Sequence, residues 1–222
     1  MASSPSNMFK FFHLVLYTAV AAAEGHKTNI NGVMDRFMEL INDHQREYGV
    51  TSGPLPEIPL VSKVKYYNAV FLGIDSIQRT GDCWQEVKGS DVSYDIHYGF
   101  RLMGIMLPYL EVYGNNMSAF ASVRDNSVHL AFTMHLGDEK CNVTLDELRV
   151  ERMDKVEFRA SRPEYDDLHL DGYFKMIVIP RLNSIMDSHL DKIEASLQEL
   201  CKLKQYQDDA DLQDVLSFFH NQ

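Results

Sequence analysis

Three histidines, His97, His129 and His135, fall on the polar phase of two alternating segments, Asp91–Leu102 and Val128–Leu136. Imidazoles gathered on one sheet face can hold a metal ion, but a ligating His needs a partner on its other ring nitrogen to orient it. The sequence identifies no such partner, so these residues read as solvated histidines on a wet face, and no metal ligand is assigned. Cys83 stands beside Trp84 without a basic neighbour to lower its pKa, which argues against a nucleophile. Asp166-Asp167, Asp171 and the run from Asp208 to Asp211 lack the spacing of a calcium loop and read as solvated acidic loops. Gly-x-Ser-x-Gly, His-Glu-x-x-His, phosphate-loop and dinucleotide motifs are all absent from the sequence. The reading is a non-enzyme with no catalytic residue and no cofactor.

The elements that would position any site follow from hydrophobic period. Ile30, Val33, Met34, Phe37, Met38, Leu40 and Ile41 recur at helical spacing, which predicts a helix from about Thr28 to Tyr48. Three prolines within Pro54–Pro59 then make an extended connector. Strict alternation places Val92, Tyr94, Ile96, Tyr98, Phe100 and Leu102 on one strand face, and Val128, Leu130, Phe132, Met134 and Leu136 on another. Asp125-Asn126 interrupts the pattern before the second of these. Cys141, Val143 and Leu145 start a further strand whose phase slips to Leu148 and Val150, predicting a bulge at Asp146-Glu147. Pro108 marks a bend in the apolar stretch from Leu102 to Tyr113. A second long helix is predicted from Ile177 to about Lys204, with Leu182, Ile185, Met186, Leu190 and Ile193 on one face. Helix, four or five antiparallel strands, then helix gives an α+β class, a sheet curled around helices. The apolar strip inside such a curl is a dry core or a ligand groove, and periodicity leaves both open.

The 222 residues carry 21 basic and 32 acidic side chains, for a net charge of −11. No basic stripe offers phosphate contacts, so nucleic acid is excluded as a partner, and adsorption to anionic membranes is disfavoured. Lys10 followed by the apolar run Phe11–Val20 and by Ala21-Ala22-Ala23 reads as a signal peptide over residues 1–23. A single domain over 24–204 and an acidic tail over 205–222 follow. Sequons at Asn116 and Asn142 agree with secretion into the extracellular space. With three cysteines, one pair can close and one thiol is left over.

The segment Gly73-Ile74-Asp75-Ser76-Ile77-Gln78-Arg79-Thr80-Gly81-Asp82, with its Arg-x-Gly-Asp ending, resembles a strand-end segment of the group-seven mite allergens. Asn142-Val143-Thr144-Leu145 followed by Val150 resembles the start of their last strand, and the order of elements agrees from Thr28 to about Leu203. That family is similar in fold to half of a bactericidal/permeability-increasing protein and to the juvenile-hormone-binding and takeout proteins. The resemblance implies a strongly curved sheet of four long strands, at 63–88, 90–113, 116–136 and 141–160, wrapped around two helices with a lipid-accepting tunnel between. The three cysteines, the acidic tail and the Met-rich stretch near Leu102–Leu110 depart from the family pattern.

The expected function is a secreted carrier of a small apolar ligand such as a lipid, fatty acid or hormone-like molecule. Its groove is expected to be lined by Val92, Tyr94, Ile96, Tyr98, Phe100, Val128, Leu130, Phe132, Met134, Ile177, Ile185 and Met186. Leu102-Met103-Gly104-Ile105-Met106-Leu107 is expected to form its mouth and to touch neutral membranes transiently, or else to pack against a helix. The alternatives are an interaction or immune-recognition module with a filled core, and a lipocalin-type carrier. The latter needs about eight strands, in a chain whose length two helices already consume. One element out from Cys141 and one back to Cys201 brings these cysteines to the same end of the molecule, so the expected disulfide is Cys141–Cys201, with Cys83 free.

Overall fold

Alternating apolar residues build most of this molecule, and its longest strands come from the longest alternating runs. The structure is a computed structural model that describes Gly25 and residues 27–57, 63–137 and 141–202. The leader at 1–23 and the tail at 205–222 lie outside the described residues. In chain order come β1 (Lys27–Asn29), helix α1 (Asn31–Glu47), β2 (Ser52–Pro54), β3 (Val64–Tyr67), β4 (Val70–Leu72), β5 (Ile77–Arg79), β6 (Trp84–Lys88) and β7 (Asp91–Phe100). Then follow β8 (Met103–Val112), β9 (Asn115–Leu136) and β10 (Cys141–Ala160). A helical turn at Asp171–Tyr173 runs through a π-helical stretch, Phe174–Val178, into α2 (Ile179–Asp187), and α3 (Leu190–Lys202) ends the described chain.

This corrects the expected architecture. In place of four or five long strands wrapped around two long helices, the described residues form one ten-stranded antiparallel sheet with a single long helix, α1. The segment expected as one strand over 63–88 divides into β3, β4, β5 and β6. Gly73 makes one of the breaks: at φ 94°, it passes so close to the chain that an added Cβ would overlap the Leu102 carbonyl. The segment expected over 90–113 is likewise two strands, β7 and β8, parted at Arg101-Leu102. The second helix is broken because Pro180 cannot donate a backbone hydrogen bond. The turn before it widens, and the Ile179 N–H bonds back to the Phe174 carbonyl. It breaks again at Ser188-His189, where both side chains bond the Ile185 carbonyl, Ser188 Oγ at 2.7 Å and His189 Nδ1 at 2.9 Å.

The β9–β10 hairpin spans the molecule and divides the sheet into two halves. Along its free side, β9 pairs first with β8 (Leu107 to Ala119, Met103 to Val123) and then with β7 (Tyr98 to Val128, Asp91 to His135). Asn126, buried where β7 gives way to β8, cements that junction. Its Oδ1 accepts the Phe100 N–H at 2.7 Å, and its Nδ2 donates to the Phe100 carbonyl at 2.9 Å. The expected interruption at Asp125-Asn126 is therefore a position inside one continuous strand. The phase slip in β10 is a register shift between Leu145 and Glu147, with another between Val150 and Arg152.

Strand β10 lies at the sheet's edge, where unpaired backbone invites association. Helical side chains cover it. Asp171, Asn183, Glu194 and Gln198 accept the N–H groups of Val156, Val150, Leu145 and Val143 at 2.8–3.0 Å. Asn183 and Gln198 also return a donor, to the carbonyls of Val150 and Cys141. A Cys141–Cys201 disulfide, with Cα atoms 5.4 Å apart, pins α3 to the start of β10, and Cys83 is free and buried.

Candidate functional site

The two halves of the sheet bury different interiors. In the β7 half, Val92, Tyr94, Ile96, Phe132 and Met134 pack against Ile30, Met34, Phe37 and Met38 at α1. Tyr94 stacks on Phe132 with ring centroids 5.0 Å apart, and Tyr98 and Leu130 pack at the margin of the same cluster. This half is filled.

The β8 half holds a cavity of about 450 Å³ that is partly open to solvent. Its floor is made by inward residues of β8 (Met103, Ile105, Leu107, Leu110), β9 (Met117, Ala121, Val128) and β10 (Val150, Met153, Phe158). Tyr66, Phe71 and Phe100 close one side. Tyr173, Phe174, Val178 and Leu182, from the turn, the π stretch and α2, form the roof. Leu168 also lines it while 40% exposed, which places an opening at the segment before the helical turn. The volume falls within the roughly 300–1,000 Å³ typical of small-molecule sites.

Three tyrosines are among the lining residues of a cavity whose surface is almost wholly carbon. Tyr66 donates its hydroxyl to the Pro56 carbonyl at 2.7 Å, and Tyr165 accepts from Asn115 Nδ2 at 3.4 Å. The Tyr173 hydroxyl is buried and has no hydrogen-bond partner among the described residues, and that burial raises its pKa. A buried hydroxyl without a partner is costly.

Of the twelve residues expected to line a groove, Phe100 and Val128 border the cavity. Val92, Tyr94, Ile96, Tyr98, Leu130, Phe132 and Met134 belong to the packed cluster beneath α1. Ile177, Ile185 and Met186 are half-buried on the broken helix, where their neighbours Val178 and Leu182 reach the cavity. Sequence reading passed over Met117, Ala121, Met153, Phe158 and Tyr173. The alternation of Met117, Ala119, Ala121 and Val123 was the available signal for the β9 members. Within the expected mouth, Met103, Ile105 and Leu107 face the cavity, while Leu102 is 57% exposed. Asn116 and Asn142 are both exposed.

No protein-family model matches the chain, and no curated protein is found to be similar to it.

Proposed function

We propose that this protein is a non-enzymatic carrier of an apolar small molecule bearing a single hydrogen-bonding group, such as a fatty acid or a hormone-like lipid. The cavity carries the reading: about 450 Å³ walled by aliphatic and aromatic side chains, with one unpartnered hydroxyl, Tyr173. An apolar chain would take the carbon wall, and a turn of the Tyr173 ring would bring its O–H to the ligand's carboxyl or carbonyl. The resemblance of 73–82 and 142–150 to group-seven mite allergens points to the same ligand class. The apolar leader at 1–23 and the sequons support a role outside the cell.

The test is uptake of a fluorescent long-chain fatty acid by delipidated full-length protein, with native mass spectrometry of the untreated protein for a co-purifying lipid. Tyr173→Phe keeps the ring and removes the hydroxyl, so it should weaken uptake about 3- to 10-fold, the worth of one hydrogen bond. Protein that carries no lipid as purified and takes up no probe would leave the interaction-module reading in its place.

A further inference from the structure

The opposite face of the sheet, away from the cavity, gathers a cluster that the carrier function does not use. Asp95 and His97 lie two apart on β7 and point to the same side, and the register sets His97 directly across from His129 on β9. Glu147 and Glu151 flank them from β10, where Arg149 pairs with His129. The two imidazoles are stacked, with centroids 4.5 Å apart and planes 5° from parallel. On its other side His97 is backed by Gly81, where an added Cβ would come within 3.0 Å of the His97 side chain.

The contacts do not balance in protons alone. Asp95 Oδ1 lies 3.0 Å from His129 Nε2 and 3.3 Å from His97 Nε2. The opposite ring nitrogens also face carboxylates: His97 Nδ1 is 3.1 Å from Glu151 Oε2, and His129 Nδ1 is 3.2 Å from Glu147 Oε2. A neutral imidazole has one N–H, so each ring can donate toward one carboxylate and must turn a lone pair toward the other. Protonating both rings would supply the missing hydrogens but would stack two positive charges face to face. The Glu147 oxygen sits off the ring's N–H direction, so His129 Nδ1 is buried without a hydrogen bond.

We propose that Asp95, His97 and His129 form a binding site for a divalent transition-metal ion of the zinc type. The Nε2 atoms of both histidines and the Asp95 carboxylate bind the ion, and Glu151 acts as a positioning residue on His97 Nδ1. With the two parallel rings tilted so that their Nε2 lone pairs converge, one cation resolves the proton deficit on that side, and His97 Nδ1–H is free to donate to Glu151. The three donor atoms lie within 4.8 Å of one another. Two ligands held at ~2.1 Å on a tetrahedral ion sit ~3.4 Å apart, close to the observed Nε2–Oδ1 distances. Glu151 is itself fixed by a 2.9 Å hydrogen bond from Ser127 Oγ, which supplies the oriented outer partner that metal-bound histidines require. Lys27 Nζ, 3.8 Å from Asp95 Oδ2, holds the carboxylate's other oxygen. A hollow of about 330 Å³ lies beside the cluster, bordered by His129, Asp95, Glu147 and Trp84. Asp95 and His129 border this space, so a fourth coordination position is open to water.

The experiment is calorimetric titration of Zn²⁺ into full-length, chelator-stripped protein, repeated with Co²⁺ and read by its visible absorption. One equivalent should bind. His97→Ala and His129→Ala should each weaken it beyond the roughly 10- to 100-fold expected for Glu151→Gln, which should also alter the Co²⁺ spectrum. His135→Ala is the control, since His135 is held separately by Asp91 and Thr144 on the same face and should bind as the unmodified protein does. If a histidine variant fails to fold, Asp95→Asn, which keeps the side chain's shape, takes its place. No binding by the unmodified protein, or undiminished binding in the ligand variants, overturns the proposal.

Discussion

Ala121 is the position where an added side chain separates a cavity from a packed core by the sign of its effect. It is buried on β9, lies between Ile105 on β8 and Phe158 on β10, and faces the cavity. In Ala121→Phe the phenyl group would enter that space. Burying a Phe side chain contributes about 1.5–3 kcal/mol relative to exposure, and ordering it takes back part of that, leaving a gain of about 1–2 kcal/mol. At about 2–4 °C per kcal/mol for a chain of this size, the delipidated variant should melt roughly 2–8 °C higher than the unmodified protein. In a filled interior the same change overpacks and costs about 1–3 kcal/mol, so the melting temperature would fall. Calorimetric melting of delipidated protein, paired with uptake of a fluorescent fatty acid, is the assay. The variant should be more stable and should lose uptake at least 10-fold. A lower melting temperature with unchanged uptake would refute the reasoning.

The Cys141–Cys201 bridge closes a loop of 60 residues, so replacing both cysteines with Ser should cost about 4 kcal/mol by chain entropy, read from denaturant midpoints with and without reductant. An unchanged midpoint would mean that the bridge does not constrain the unfolded chain. Burial pushes the Cys83 thiol up. The folded protein then keeps this proton at a pH where the unfolded chain, with a thiol near ~8.5, has released it, so stability is full below that value and falls as pH rises above it. Melting series from pH 7 to 10 should show a shallower loss in Cys83→Ala than in the unmodified protein, and alkylating reagents should reach Cys83 only on unfolding.

How much of this was legible depends on whether the signal was local. The alternation of Val92 to Phe100 and of Val128 to Leu136 told which face of each strand is buried, and the slip from Leu145 to Leu148 told where β10 bulges. The pairing of Cys141 with Cys201 followed from one element running out and another back. By contrast, the amide groups that bracket the edges, Asn42 on Ile77 and Asn183 on Val150, act across more than thirty residues, and no periodicity announces them. Pro180 was in plain view within the second apolar helical pattern. Its missing donor and steric clash break a helix whatever face the neighbouring aliphatic stripe presents. The histidine cluster was half legible. Strand phase put His97 and His129 on one face, but their outer partners on β10 come from a neighbouring strand whose register cannot be read from either segment alone.

Why one half of the sheet is filled and the other hollow is answered by two features that coincide. Inward positions of β9 carry Phe132 and Met134 beneath α1, an unbroken helix of 17 residues that sets Met34, Phe37 and Met38 against them. In the other half the same strand carries Ala119 and Ala121, and the cover is the interrupted helix around Pro180. Small side chains on the floor remove volume where a widened turn already holds the roof off. Had either feature occurred alone, its partner could have compensated: a straight helix could bring larger side chains down over the alanines, and bulky strand residues could rise to meet a loose turn. Their coincidence leaves apolar surface without partners, and protein interiors seldom tolerate that without an occupant or a function. The unpartnered Tyr173 hydroxyl lies in the helical turn that leads into this same interrupted stretch.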